Sequence, residues 1–185
     1  MYRSSLAGHA RRSKIKRVMT KRIVLLQALA STPKDLIFTL RRVDEAASYR
    51  KPDSNQWSIG TVLHHLIDVE QRYRARLQRV IVEDRPFLPY IHPDEAAYQV
   101  QTPLAELLAR FEQARAETLA FLKEIPPGGW QRVAVHETWG ETKLRFLVQQ
   151  LVDHDTQHLN QIIEIQQQLR AVPTQDPQPA IKIAD

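Results

Sequence analysis

Residues 142–169, TKLRFLVQQLVDHDTQHLNQIIEIQQQL, decide how this chain is read. The apolar positions Leu144, Leu147 and Leu151 are followed at the same spacing by His154 and His158, then by Ile162, Ile165 and Leu169. Steps of three and four are the period of a core-facing helix, so the stretch predicts one long amphipathic helix. Two successive inward positions are histidines. Replacing two aliphatic side chains with imidazoles gives up hydrophobic burial and leaves up to four ring nitrogens to satisfy. Side residues four apart on a helix are about 40° apart in azimuth and about 6 Å apart along the axis, so both rings can reach one metal ion. The alternative at this point is a pair of core histidines bonded to side chains or waters.

Working outward, Ile59–Val82 predicts a second long helix with the stripe Ile59, Val62, Leu66, Val69, Tyr73, Leu77 and Val80, entered through Trp57 as a staple and Ser58 as N-cap. At 100° per residue, His65 falls about 90° from the centre of that stripe and His64 about 170° away. His65 is therefore the candidate inward ligand, and His64 faces solvent. Glu70 lies about 50° from the centre, so it needs an inward partner: an Arg on a neighbouring helix, or a catalytic proton or water. Asp68 points away, as a solvated charge or a partner at a helix interface.

Two further helices complete the pattern. Residues 20–47 predict a first helix, kinked or divided where Thr32-Pro33 reads as a cap and restart. Thr102-Pro103 repeats that signal before a third helix running to about Glu124, which Pro126-Pro127-Gly128-Gly129 ends. Residues 83–102 form a loop region with a helical turn at 94–98, and Trp130–Trp139 is irregular or briefly extended, carrying His136. His92 lies in the first of these loops, either exposed or at a pocket mouth. The expected architecture is an all-α four-helix bundle over residues 19–170.

Composition narrows the function classes. The 185 residues suit a single domain with a real core. The absence of Cys excludes a disulfide framework, a Cys-ligated zinc and a cysteine nucleophile, and fits a reducing, cytoplasmic setting. No uninterrupted apolar run approaches a membrane span. The net charge of +5 invites a nucleic-acid role. Yet residues 1–18 hold Arg3, Arg11, Arg12, Lys14, Lys16 and Arg17 without an acid, and the rest balances 20 basic against 21 acidic residues. The basicity is an N-terminal arm, to be read as a disordered extension, a transit-like segment or a stretch upstream of a start at Met19, and a nucleic-acid role rests on that arm alone. Residues 171–185, with three Pro, read as a tail, disordered or lying along a neighbouring subunit.

His65, His154 and His158 on facing helices of a bundle can form a three-histidine site with an open face, the catalytic pattern for zinc that also suits nickel or ferrous iron. There is no HExxH, no Gly-rich phosphate loop and no triad signature.

The same residues carry a resemblance. Residues 57–70, WSIGTVLHHLIDVE, resemble the signature of the DinB-like (YfiT-like) superfamily in which a His-Leu-x-Asp-x-Glu run follows a Trp-Ser helix start. HDTQHLNQI, residues 154–162, is similar to its second signature, His-x-x-x-His-x-x-Gln-Ile. The resemblance spans about residues 20–170 and leaves out both tails. It implies an up-down-down-up four-helix bundle, a homodimer, and a divalent metal, nickel or zinc with iron as a third choice, on His65, His154 and His158. It also implies Gln161 as a donor behind a ligand. Some relatives are transferases or isomerases that use a low-molecular-weight thiol on small electrophiles; others have been called metal-dependent hydrolases. A non-catalytic metal-binding stress protein is the reading outside the enzymes.

Overall fold

The computed structural model describes the backbone of residues 4–171 and the side chains of residues 21–171. The side chains of the basic arm and residues 172–185 of the tail lie outside the described residues. The elements in order are α1 (Ser4–Leu40), α2 (Glu45–Ser48), α3 (Ile59–Val82), β1 (Phe87–Leu88), α4 (Leu104–Glu124), β2 (Val133–His136), β3 (Gly140–Lys143) and α5 (Leu144–Ala171). The four long helices form the expected bundle. α1 and α3 each pack on both α4 and α5, so α1 faces α3, and α4 faces α5, across the bundle axis.

The helix starts show which sequence signals survive folding. Ser58 caps α3 as read, its Oγ accepting from the Thr61 N–H at 3.2 Å. Thr102 does not cap α4. The Leu104 N–H donates instead to the Glu45 carboxylate on α2, 3.1 Å from each oxygen, so a distant side chain supplies the cap. Thr32-Pro33 does not restart a helix either, because α1 runs through it unbroken. Proline removes one backbone donor and leaves the carbonyl four residues back, that of Leu29, without its helical partner. Nη1 of Arg115 on α4 donates to that carbonyl at 3.1 Å. The helix continues because its neighbour repairs the defect.

Arg115 is 1% exposed, and all five of its N–H groups are used. Nε and Nη2 fork onto Glu70 of α3 at 2.9 and 2.8 Å, and Nη1 and Nη2 onto Asp155 of α5 at 2.6 and 3.0 Å. The Thr32 hydroxyl of α1 donates to the same Asp155 carboxylate at 2.8 Å. Glu70 thus has the Arg partner expected from a neighbouring helix. This polar layer divides the core. On one side lie Leu25, Leu29, Tyr73, Leu77, Leu144, Leu147 and Leu151; on the other, Leu36, Ile59, Leu63, Leu66, Leu107, Phe111 and Ile162.

The segment from 130 to 143 is a hairpin rather than irregular chain: β2 pairs antiparallel with β3, and β1 adds in parallel to β2. Gly140 sits at φ 63°, in the left-handed region that a three-residue hairpin loop requires. One stretch within α1, Lys21–Leu40, has a mean hydropathy of 1.3 and is long and apolar enough to cross a membrane. In the bundle its Leu25, Leu29, Leu36 and Leu40 are core residues.

Removing Arg115 leaves two carboxylates buried without a counter-charge. Arg115→Met is expected to lower unfolding stability by about 3–5 kcal/mol, read from the shift in urea midpoint. A shift equivalent to less than about 1 kcal/mol would mean that the layer contributes packing alone.

Candidate metal centre

The three candidate histidines meet on one side of the polar layer. Nε2 of His154 lies 3.0 Å from Nε2 of His65 and 3.1 Å from Nε2 of His158. The three ligand atoms all fall within 4.8 Å of one another. His65 is 7% and His158 8% exposed, whereas His154 is half-buried and faces the cavity described below. His64 stays apart, 2.9 Å from the Val100 carbonyl, and the exposed His92 contributes only its backbone carbonyl, to Arg72.

The donor set fits a divalent cation. With metal–nitrogen bonds of about 2.0–2.1 Å, nitrogens on one ion are about 2.9 Å apart at right angles and about 3.4 Å apart in a tetrahedron. The two spacings to His154 Nε2, 3.0 and 3.1 Å, fall in that interval. The Nδ1–H of His158 donates to Gln161 Oε1 at 2.7 Å, which fixes the tautomer and leaves the Nε2 lone pair aimed at the cluster. Gln161 thus stands behind a ligand as expected, but as an acceptor rather than the donor expected of it. Nδ1 of His65 and of His154 are buried without a hydrogen-bond partner among the described residues. Direct contacts among the rings need a proton on at least one Nε2, whereas one cation gathers all three Nε2 lone pairs at once.

Electrostatics favours the neutral rings. Burial, then the neighbouring His158, pulls His65 down to about 4. Burial, then His158 and His65, pulls His154 down to about 3. His158 is also lowered by burial, against the Gln161 bond and Asp155. Behind them, Arg115 faces both Glu70 and Asp155, one cation against two carboxylates. From this layer Asp155 acts on His158 and Arg115 on His154.

Trp57 does more than staple a helix end. Its ring meets His65 edge-on at 5.0 Å and lies parallel to His158 at 6.3 Å. Tyr98, from the short turn Ala97–Gln99, meets His65 edge-on at 5.6 Å, and its hydroxyl donates to Asp68 at 2.6 Å. Asp68 thus orients a wall of the site rather than standing in solvent.

The histidines open into a cavity of about 400 Å³. Val69, Tyr73 and Arg76 of α3, Tyr90 and Ile91 after β1, and His136 and Trp139 of the hairpin extend it away from them. A second, more open groove on the other side of Trp57 carries amides: Asn55, Gln56, Gln157, Asn160, Gln161 and Gln168. Sequence reasoning missed Arg76, Trp139 and Asp155. Asp155 had a signal, since it stands four residues beyond Leu151 at a core phase of the helix. The hairpin side chains had none, because they approach from a segment without helical period.

The DinB superfamily profile matches residues 28–162 of the chain. No curated protein matches its sequence. Among solved structures, YfiT from Bacillus subtilis, described as "a probable metal-dependent hydrolase with an unusual four-helix bundle topology", aligns over 80% of this chain and 87% of its own, with 20% identity and a TM-score of 0.69. TT2238, described as a four-helix bundle protein, aligns over 77% of this chain and 98% of its own, with 21% identity and a TM-score of 0.58. With its profile covering most of the bundle and both histidine signatures, the chain belongs to the DinB superfamily.

Proposed function

We propose that this protein is a divalent-metal-dependent enzyme acting on a small molecule, with His65, His154 and His158 as the ligands and a low-molecular-weight thiol as cosubstrate. The observation that carries this reading is the convergence of three Nε2 atoms at the wall of a cavity of about 400 Å³. Three neutral ligands leave coordination positions open, and nickel, zinc or ferrous iron suits them. A bound ion there would supply a Lewis acid that lowers the pKa of a thiol or water in the cavity. The chain's own groups do the rest. Gln161 holds the His158 ring in its ligating tautomer, and Trp57 and Tyr98 fix the plane of His65 and exclude water from that side. The amide-rich groove that meets the cavity at Trp57, Gln157 and His158 offers a second reactant its own approach to the same centre.

Metal-assisted hydrolysis is the second reading, supported by the description of YfiT. It needs a base near the reacting water. Glu70 cannot serve, because its carboxylate is fully buried in the fork of Arg115. Asp153, exposed at the cavity lining and held by the amides of Gln149 and Gln150, is the carboxylate available for that role.

Elemental analysis of untagged protein is expected to find about one nickel, zinc or iron per chain, lost in His65→Ala and retained in His64→Ala. Equal retention in the two variants would remove His65 from the ligand set. Gln161→Leu is expected to weaken metal affinity about 10- to 100-fold in a chelator competition. Loading cobalt(II) and adding 2-mercaptoethanol distinguishes the two reactions. The thiol reading expects a new near-ultraviolet charge-transfer band and shifted visible bands; an unchanged spectrum at saturating thiol rejects it and favours hydrolysis.

A further inference from the structure

The end of the cavity away from the histidines has a chemistry that the metal reading does not use. Arg76 is 9% exposed and lines the cavity, yet no carboxylate lies within 4.0 Å of it among the described residues. Its one hydrogen bond there is from Nη2 to the Pro89 carbonyl. The other buried arginine among the described residues, Arg115, has two carboxylates. A buried cation without a counter-ion is unfavourable unless something supplies one.

Two further donors face the same space. His136 is 2% exposed, and its Nδ1 accepts from the Thr138 N–H at 3.1 Å. The ring proton of the neutral imidazole therefore sits on Nε2, which has no partner among the described residues. Burial, then the nearby Arg76, disfavours the charged ring and keeps that arrangement. Tyr73, one turn before Arg76 on α3, has its ring centroid 5.8 Å from the guanidinium carbon, and its hydroxyl also has no partner among the described residues. Of the acidic groups nearby, Glu137 favours the charge on Arg76 and His136 from beyond ion-pair distance, and none is in direct contact with Arg76. Glu137 is exposed and accepts from the Tyr90 N–H at 2.6 Å, and Asp153 is held by Gln149 and Gln150.

We propose that Arg76, His136 and Tyr73 form an anion-binding subsite that receives the carboxylate of the substrate and so presents the remainder of that molecule to the three histidines. The guanidinium fork matches a planar carboxylate, and His136 Nε2–H and the Tyr73 hydroxyl add donors of the right polarity. Between the two ends the walls are Val69, Ile91, Tyr90 and Trp139, the last held by stacking on His136 at 4.0 Å. His65 and Arg76 are eleven residues apart on one face of α3, about 16 Å along the axis. The long Arg side chain leans back toward the helix start, which shortens the gap to the reach of a small molecule. The substrate class is thus a small carboxylic acid with an apolar or aromatic body. The assignment of its reacting end to the metal rests on the function proposed above; the anion subsite itself does not.

The test is calorimetric titration of the purified protein with benzoate, its neutral isostere benzamide, and inorganic phosphate. Wild type is expected to bind benzoate at millimolar concentration or below, and benzamide and phosphate more weakly. Arg76→Gln is expected to weaken benzoate about tenfold or more, the loss typical of a charged hydrogen bond. Arg76→Lys keeps the charge without the fork and is expected to weaken it less; it decides the matter where Arg76→Gln fails to fold. His154→Ala is expected to retain benzoate binding. Loss of binding in His154→Ala with none in either Arg76 variant would overturn the proposal, because the carboxylate would then be sitting on the metal. No benzoate binding to wild type, or phosphate binding tighter than benzoate, would overturn it too. Absence of metal from wild type together with Arg76-dependent benzoate binding would sink the metal reading and leave the subsite standing.

Discussion

One buried guanidinium holds this bundle in register. Arg115 stands on α4, reaches across the axis to Asp155 on α5, and takes Glu70 of α3 and the Leu29 carbonyl of α1 on its way. A single side chain therefore contacts all four long helices. Desolvating three charges is expensive, and pairing them roughly offsets the expense only when every donor is met. Here every donor is met, and Thr32 adds a bond to the most heavily used carboxylate oxygen. Such a layer contributes more to the choice of arrangement than to net stability. Sliding α3, α4 or α5 by one turn would leave a charge facing leucines, so the layer penalises alternatives that the two apolar clusters on either side would tolerate.

The site inherits that register. Asp155 fixes the rotation of α5 at the turn that carries His154 and His158, and Glu70 fixes α3 just over one turn after His65. Once both helices are locked, the three imidazoles have little choice but to converge, and the aromatic walls of Trp57 and Tyr98 close round them. The polar layer also acts on the rings directly: its Asp155 draws positive charge toward His158, and its Arg115 repels it from His154. Pro33 belongs to the same logic. It would destabilise an isolated helix, but here it frees the carbonyl that the fifth arginine donor needs.

Much of this was legible in the sequence, and the boundary of legibility has a physical cause. Helical period alone selected His65 over His64 and turned Glu70 inward toward a partner it left open between an Arg and a catalytic proton or water, because phase on a regular helix follows from counting residues. The same counting placed His154 in the middle of its stripe, whereas in the bundle Asp155 takes the core and His154 the flank. Asp155 stands at a core phase four residues beyond Leu151, and with Arg115 four residues beyond Phe111 and Glu70 inward on α3 it belongs to a buried cluster of three charges. The signals that failed were those whose partners come from elsewhere. Thr102 and Thr32 have the composition of caps, but Glu45 caps α4 in place of Thr102, and Arg115 takes the carbonyl that Pro33 leaves unpaired, so α1 continues without a restart at Thr32. His136 and Trp139 reach the cavity through a hairpin whose position depends on pairing with β1 and on packing against α5, which no local pattern encodes.

The central claim is that the three histidines bind one ion, and the most direct measurement is a crystal of the metal-loaded protein with diffraction data on both sides of that metal's absorption edge. The account predicts a single anomalous peak about 2.0–2.2 Å from Nε2 of His65, His154 and His158, open toward the cavity lined by Arg76 and His136. A peak at His64, His92 or His136 instead, or none at the cluster in protein shown to contain metal, would contradict it.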